Sequence, residues 1–401
     1  MDFEFLKKLI VPTETKIAMI IMDGLGGLPR EPGGRTELET ARTPNLDALA
    51  ARSSLGLTVP YGPGITVGSG PGHLAIFGYD PARYEIGRGV LEALGAGFTL
   101  GPADLAARGN FCTVDAEGRV SDRRAGRIDT ESSRELIALL RTIRLDGAEV
   151  LVEIIKEHRF AFVLRGEGLE AGLSDMDPQK NGVPPNPVRA LRPGAQKAAL
   201  LVNRFAAEAG KLLASRRPAN RILLRGFDRC PVLPVYGEIF GLKAAAIAVN
   251  GMYKGVARLA GMQVLPVDGV SLEAEFAALE KNWKDFDFFY LHVKQTDNAG
   301  ESGGFDLKVR VIEEVDALLP RLMALDPDVV IVSGDHSSPA ILGTHSWHPV
   351  PTLLYSAYVR PDGIGEFGER ACLKGSLGQL PAKDVMPIAL ANARRLAKLN
   401  A

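Results

Sequence analysis

The 401-residue sequence predicts an α/β fold, a mostly parallel sheet with helices on both faces, interrupted by an inserted α+β domain. Three observations predict it. Short apolar runs end abruptly at polar, Gly-rich loops bearing Asp23, Asp297 and Asp335, with helical stretches between them, which is the alternation of a parallel sheet covered on both faces. From Arg108 to Arg229 the texture shifts to short alternating stretches among helices, and the charge shifts too: 22 Lys and Arg against 16 Asp and Glu, compared with 25 against 32 elsewhere. A hydrophobic content of 46% is enough for two substantial cores at this length. The expected division is 1–107 with 236–401 as a metal-binding catalytic domain, and 108–235 as an inserted substrate-binding domain.

In chain order, Lys16–Met22 reads as a buried strand running into Asp23-Gly24-Leu25-Gly26-Gly27, where glycine lets the backbone turn sharply. Asp23 alone would read as a turn residue. Thr43-Pro44 marks a helix start, with Thr as N-cap and Pro at the first helical position. Ser69 lies in a Gly-rich loop before a helix expected to begin near Gly72 or His73, where exposed N–H groups and the helix dipole favour phosphate, so its hydroxyl is a candidate nucleophile. No Gly-Lys-Ser/Thr follows those glycines, which excludes a Walker loop.

Within the basic segment, Asp122-Arg123-Arg124-Ala125-Gly126-Arg127 packs three guanidiniums into five residues, and arginine forks bind carboxylate and phosphate bidentately. Arg165, Arg189 and Arg225 are secondary candidates beside turn residues. The frame resumes with Leu242–Val249 as a strand, then Lys254 near a helix start where it can reach a phosphate. Asp287–Val293 is a further strand, leading to Asp297 and Glu301. The helix Asp306–Leu325 delivers the chain to the strand Val329–Val332, which ends at Asp335-His336, with His345 and His348 in the loop beyond and another strand over Pro351–Ala357. Carboxylate oxygen and neutral imidazole nitrogen at one sheet rim suit divalent metal.

Composition excludes several classes. The three cysteines are scattered, so neither a disulfide framework nor a cysteine-type zinc site is indicated. No apolar run reaches the roughly 20 residues that span a bilayer, the N-terminal stretch lacks a signal-like apolar core, and the cytoplasm is the expected location. Basic residues interleaved with aromatics are missing, which disfavours nucleic acid. The expected partner is a small-molecule substrate; self-association into a homo-oligomer is left open.

The ordered motifs DGLGG, TPNLD, SGPGHLAIFGYDP, DRRAGR, KQTDNAG and SGDHSSP with THSWHPVP resemble the alkaline phosphatase superfamily, and within it the archaeal-type cofactor-independent phosphoglycerate mutases, over nearly the whole chain. The resemblance implies an alkaline-phosphatase-like sheet and two divalent ions, manganese or magnesium first and zinc or cobalt as alternatives, with no 2,3-bisphosphoglycerate. It implies one ion on Asp23, Ser69, Asp335 and His336, and the other on Asp297, His345 and Glu301. Many relatives carry His at the Glu301 position, so this ligand set is harder than theirs. It further implies interconversion of 3- and 2-phosphoglycerate through a phosphoserine at Ser69, in glycolysis and gluconeogenesis. Asp122, Arg123, Arg124, Arg127 and Lys254 are the expected substrate contacts. A metal-dependent phosphatase or a phosphopentomutase on the same scaffold is the alternative.

Overall fold

A computed structural model describes residues 2–399, which form two compact units: residues 2–85 with 233–399, and Ile86–Val232. The first is built on an eight-stranded sheet. Its order from one edge is Gly378–Pro381, Ser53–Val59, Val350–Ser356, Val329–Ser333, Ile17–Met22, Phe288–Val293, Ala244–Ile247, Gln263–Val264. Every neighbour pair is parallel except the two made by Val350–Ser356, which alone runs against the rest. The central strands Ile17–Met22, Phe288–Val293 and Val329–Ser333 are buried along their whole length, as β-branched and apolar runs must be when both faces are covered. The helix Phe305–Met323 packs on one face with Leu272–Asn282, burying Val311, Ile312, Val315 and Leu319 against Leu291 and Val332.

The second unit is an antiparallel sheet centred on Asp104–Val114, paired with Arg159–Arg165 and Arg221–Arg229, with Glu149–Lys156 beyond and Val120–Asp122 at the end. Helices Thr130–Leu140 and Gln196–Leu213 bury Ile137, Leu140, Val202 and Phe205 against Phe160 and Phe162. The expected start of the insert at 108 falls in the middle of a strand. Its helix Arg88–Gly95 and the strand's first residues already belong to this unit, because the change in charge that marked the boundary lags the change in packing.

Two further expectations shift. The helix after the Gly-rich loop spans Ser69–Ile76, three residues earlier than its glycines suggested, with extended Gly68 as its N-cap. Thr43 does precede the helix Pro44–Ala50, but its hydroxyl meets Asp47 (3.4 Å) instead of capping a backbone N–H. No helix among the described residues is long and apolar enough to cross a membrane.

Candidate active site

Three parallel strands of the first unit end side by side, and each delivers a carboxylate at its C-terminal mouth. Asp23 follows Met22, Asp297 lies in the first turn of the helix Gln295–Glu301 after Val293, and Asp335 follows Ser333. All three are buried. The turn after Asp23 requires glycine: Gly24 has φ +66°, and a Cβ there would stand 2.6 Å from Ser338 Oγ and 2.8 Å from Asp297 Oδ1. Gly72 likewise lets the Ser69 helix lie against Asp335, since a Cβ would meet its carbonyl at 2.5 Å.

Ligand-type atoms converge in two sets that share one histidine. Asp23, Asp335 and His336 form one, Asp297, His336 and His345 the other, and in each set these atoms lie within 4.8 Å of one another. His336 Nε2 is 3.3 Å from both Asp23 Oδ1 and Asp335 Oδ2, and its ring stacks on His345 at 3.8 Å. His345 Nδ1 donates to the Val67 carbonyl (2.9 Å), which leaves Nε2 facing Asp297 Oδ1 (3.5 Å) and Glu301 Oε1 (3.3 Å). Ser69 Oγ is 3.3 Å from His336 Nε2.

Asp23 Oδ1 and Asp335 Oδ2 are buried with no hydrogen-bond donor. Uncompensated carboxylate oxygens of this kind are costly, and with the imidazole nitrogens they make an O/N donor set that fits divalent cations. Burial alone would raise the Asp23 carboxyl, yet Lys294 and His292 outweigh it and hold it well below the usual range. Asp335 is also lowered: burial and Asp23 oppose ionisation, and His336 and His73 prevail. His336 is lowered, chiefly by burial and against the pull of Asp335 and Asp23, a shift toward the neutral imidazole that a metal requires. Burial opposes the charging of His345, but Glu301, the Val67 carbonyl and Asp297 lift it to about 9.

Several further groups surround these ligands, most of them not singled out by the sequence. Lys294 bridges Asp23 Oδ2 (3.0 Å) and Asp297 Oδ2 (2.6 Å), and the strand-end rule that selected Asp297 applies equally to it. His73, one helical turn beyond Ser69, donates from Nδ1 to the Ser69 carbonyl (2.8 Å) and stands 3.0 Å from Asp335 Oδ2. His292 Nε2 is 3.1 Å from Asp23 Oδ2, and its ring stacks at 3.7 Å on buried Tyr253. Lys308, fully buried, donates to the carbonyls of Gly24, Gly26 and Ser338 and so ties the Asp23 and Asp335 loops together. Ser338 Oγ bonds Asp297 Oδ1 (2.5 Å). Nothing in the sequence around Lys308 or Ser338 signals this, because their partners are backbone groups or lie far along the chain.

The remaining expected residues have the following surroundings. Lys254 is half-buried in the helix Gly251–Leu259, where its charge acts on buried Glu275. His348 Nδ1 bonds Ser346 Oγ (3.0 Å). Glu301 is the last residue of the helix Gln295–Glu301. In the second unit, Arg123 is paired bidentately with Asp177 (2.9 and 2.7 Å), Arg124 and Arg127 are exposed, and Asp122 accepts the Arg124 and Gly126 N–H groups to shape the turn. Arg165 is taken up by Asp104 (2.9 and 2.7 Å).

Comparison with known proteins gives a consistent result. The family of 2,3-bisphosphoglycerate-independent phosphoglycerate mutases matches residues 50–220. A probable 2,3-bisphosphoglycerate-independent phosphoglycerate mutase of Thermus thermophilus is 51% identical, covering 100% of this chain and 99% of its own. The corresponding protein of Thermosipho africanus is 48% identical over 99% and 98%. Among solved structures, a Pyrococcus horikoshii protein has TM-score 0.83 at 31% identity, covering 97% of this chain and 100% of its own. The cofactor-independent phosphoglycerate mutase of Thermoplasma acidophilum has TM-score 0.76 at 31% identity, covering 94% and 100%.

Proposed function

We propose, from the premise that this chain belongs to the 2,3-bisphosphoglycerate-independent phosphoglycerate mutases and is therefore an isomerase, that it moves the phosphoryl group of phosphoglycerate between O3 and O2 through a phosphoserine at Ser69. The observation that carries this reading is the Ser69 hydroxyl at the head of its helix, 3.3 Å from His336 Nε2 and beside two sets of metal-type ligands. In the forward step the Ser69 Oγ–P bond forms as the substrate O3–P bond breaks; the serine proton leaves and the glycerate oxygen gains one. Glycerate then turns without leaving, and O2 takes the phosphoryl group back from Ser69.

Asp23, Asp335, His336 and Ser69 would hold one divalent ion, and Asp297, His345 and Glu301 the other, with His336 lying against both sets. Bound there, the ions would lower the pKa of the serine hydroxyl and neutralise phosphoryl charge. Manganese or magnesium suits a set with this many carboxylates, and zinc or cobalt suits its imidazoles. The helix start at Ser69 offers N–H groups to phosphoryl oxygens. Lys294, held between Asp23 and Asp297, supplies a fixed positive charge against two buried carboxylates. Retaining glycerate requires anion clamps, for which the basic second unit is the source, Arg123, Arg124 and Arg127 among the candidates. The reaction would serve glycolysis and gluconeogenesis in the cytoplasm.

A coupled assay on 3-phosphoglycerate with manganese and without 2,3-bisphosphoglycerate tests the proposal. Formation of 2-phosphoglycerate is expected, with little release of inorganic phosphate. Release of phosphate as the main product would favour a phosphatase instead.

A further inference from the structure

One buried phenol beside Ser69 has no partner and little freedom to find one. Tyr253 stands in the first turn of the helix Gly251–Leu259, where the Asn250 side chain accepts from the Met252 N–H and fixes the helix start. It is only 1% exposed. Its ring stacks on His292 at 3.7 Å, meets His73 at 4.8 Å, and lies under the Lys294 ammonium, whose Nζ is 5.2 Å from the ring centre. Those three neighbours are pinned in turn, His292 and Lys294 by Asp23 Oδ2 and His73 by the Ser69 carbonyl. A ring packed on this many sides cannot swing away, so the direction of its hydroxyl is set by the fold.

A buried tyrosine hydroxyl ordinarily finds a hydrogen-bond partner, and this one has none of normal geometry. The side chains that approach it are Asp23 and Ser69. Asp23 is already served: Oδ2 takes His292 and Lys294, and Oδ1 belongs to the ligand set with His336. Ser69 is not. Among the described residues its Oγ has one long side-chain contact, 3.3 Å to His336 Nε2, and a hydroxyl oxygen has two lone pairs to fill. Leaving a buried donor unmet costs stability, whereas a donor fixed in advance toward an oxygen that gains charge during reaction needs no reorganisation when the charge appears.

We propose that Tyr253 is a further catalytic residue, a fixed donor whose O–H meets Ser69 Oγ as that oxygen carries charge, both when it attacks phosphorus and when it leaves the phosphoserine. The phenol keeps its proton throughout, and the serine proton does not pass through it. This rests on Ser69 being the nucleophile of the proposed mutase reaction. It adds to that reading a group that acts on the chemical step and not on the binding of phosphoglycerate.

Tyr253→Phe in the full chain tests it, since the ring stays and only the hydroxyl goes. With manganese, kcat for 3-phosphoglycerate should fall about 10-fold or more while KM changes less than about 3-fold, the signature of an interaction made in the transition state. Tyr290→Phe removes another buried, unpartnered hydroxyl, from a ring 5.7 Å from His73, and should keep the parental kcat. Titration with vanadate, which takes a serine oxygen as its fifth ligand, reads the same contact without turnover: Tyr253→Phe should lose about 10-fold or more in vanadate affinity and less than about 3-fold in phosphate affinity. Chelated Tyr253→Phe should melt no lower than the parent, because an unmet donor has been removed. A lower melt, a raised KM with kcat unchanged, or parental vanadate affinity would each overturn the assignment. An active parent matched by an equally active Tyr253→Phe overturns the role of Tyr253 and leaves the mutase reading standing. A parent inactive on 3-phosphoglycerate whose vanadate binding still depends on Tyr253 supports the donor and removes the mutase reading.

Discussion

Glu301 Oε1 lies 3.3 Å from His345 Nε2, and it does so from the last residue of its helix, where a carboxylate gains nothing from the helix dipole. Its position is therefore explained by the imidazole and by what the two can share. Glu301→His is expected to fold normally and to move the metal preference from manganese or magnesium toward zinc or cobalt, because imidazole is the softer donor. Activity of chelated and reconstituted protein across the four metals is the measurement. An unaltered profile would remove Glu301 from the ligand set.

Ser69→Ala should reduce mutase activity by several orders of magnitude while leaving the fold and most metal affinity intact, since the hydroxyl is one donor among several. Circular dichroism, metal titration and the coupled assay on the same preparation check all three. Turnover at the parental rate would rule out the phosphoserine.

Lys294→Met leaves Asp23 and Asp297 without their shared ammonium. Breaking such a buried pairing costs about 3 to 5 kcal/mol, so chelated protein should melt well below the parent. Added manganese should recover most of that loss, because a cation bound by the same carboxylates replaces the missing charge. A variant that melts low with and without manganese would make Lys294 a packing residue alone.

Glu275 is fully buried on the helix Leu272–Asn282, and burial, only partly offset by the Val249 N–H, raises its carboxyl to about 8. The folded state thus holds a proton that the unfolded chain releases near pH 4.5. Its contribution to stability is whole below that pH and is lost as pH rises toward 8, by about 1.4 kcal/mol for each pH unit between them. Glu275→Gln should therefore gain on the parent from pH 5 to 8 in thermal melts. Parallel pH profiles for the two would show that the carboxyl titrates normally.

The sheet and the carboxylates at its rim were legible because both are local signals: apolar runs of strand length, each followed within a few residues by an acid. Asp23, Asp335 and His336 needed only their own segments to be noticed. Lys308 could not be found this way, since a buried ammonium bonded to three carbonyls has no sequence neighbour that marks it. Ser69 was singled out, but its helix was placed late because glycine is a poor helix former. Arg123, Arg124 and Arg127 attract notice by adjacency in sequence, whereas Arg108, Arg159 and Arg225 are brought together only by strand register. A buried like-charge pair is invisible until the pairing is known.

The reversed strand Val350–Ser356 has a consequence for how the site is inherited. A parallel neighbour would have forced the chain leaving Ser333 to cross to the far end of the sheet before returning, whereas an antiparallel one lets it double back at once. Asp335, His336 and His345 consequently ride on a single short tether anchored at both ends in the same pair of strands. Adding residues between His336 and His345 would shift His345 against the two donors fixed at the strand end. The span from Ser333 to Val350 is thus a segment whose length, more than its composition, a functional homologue is free to change least.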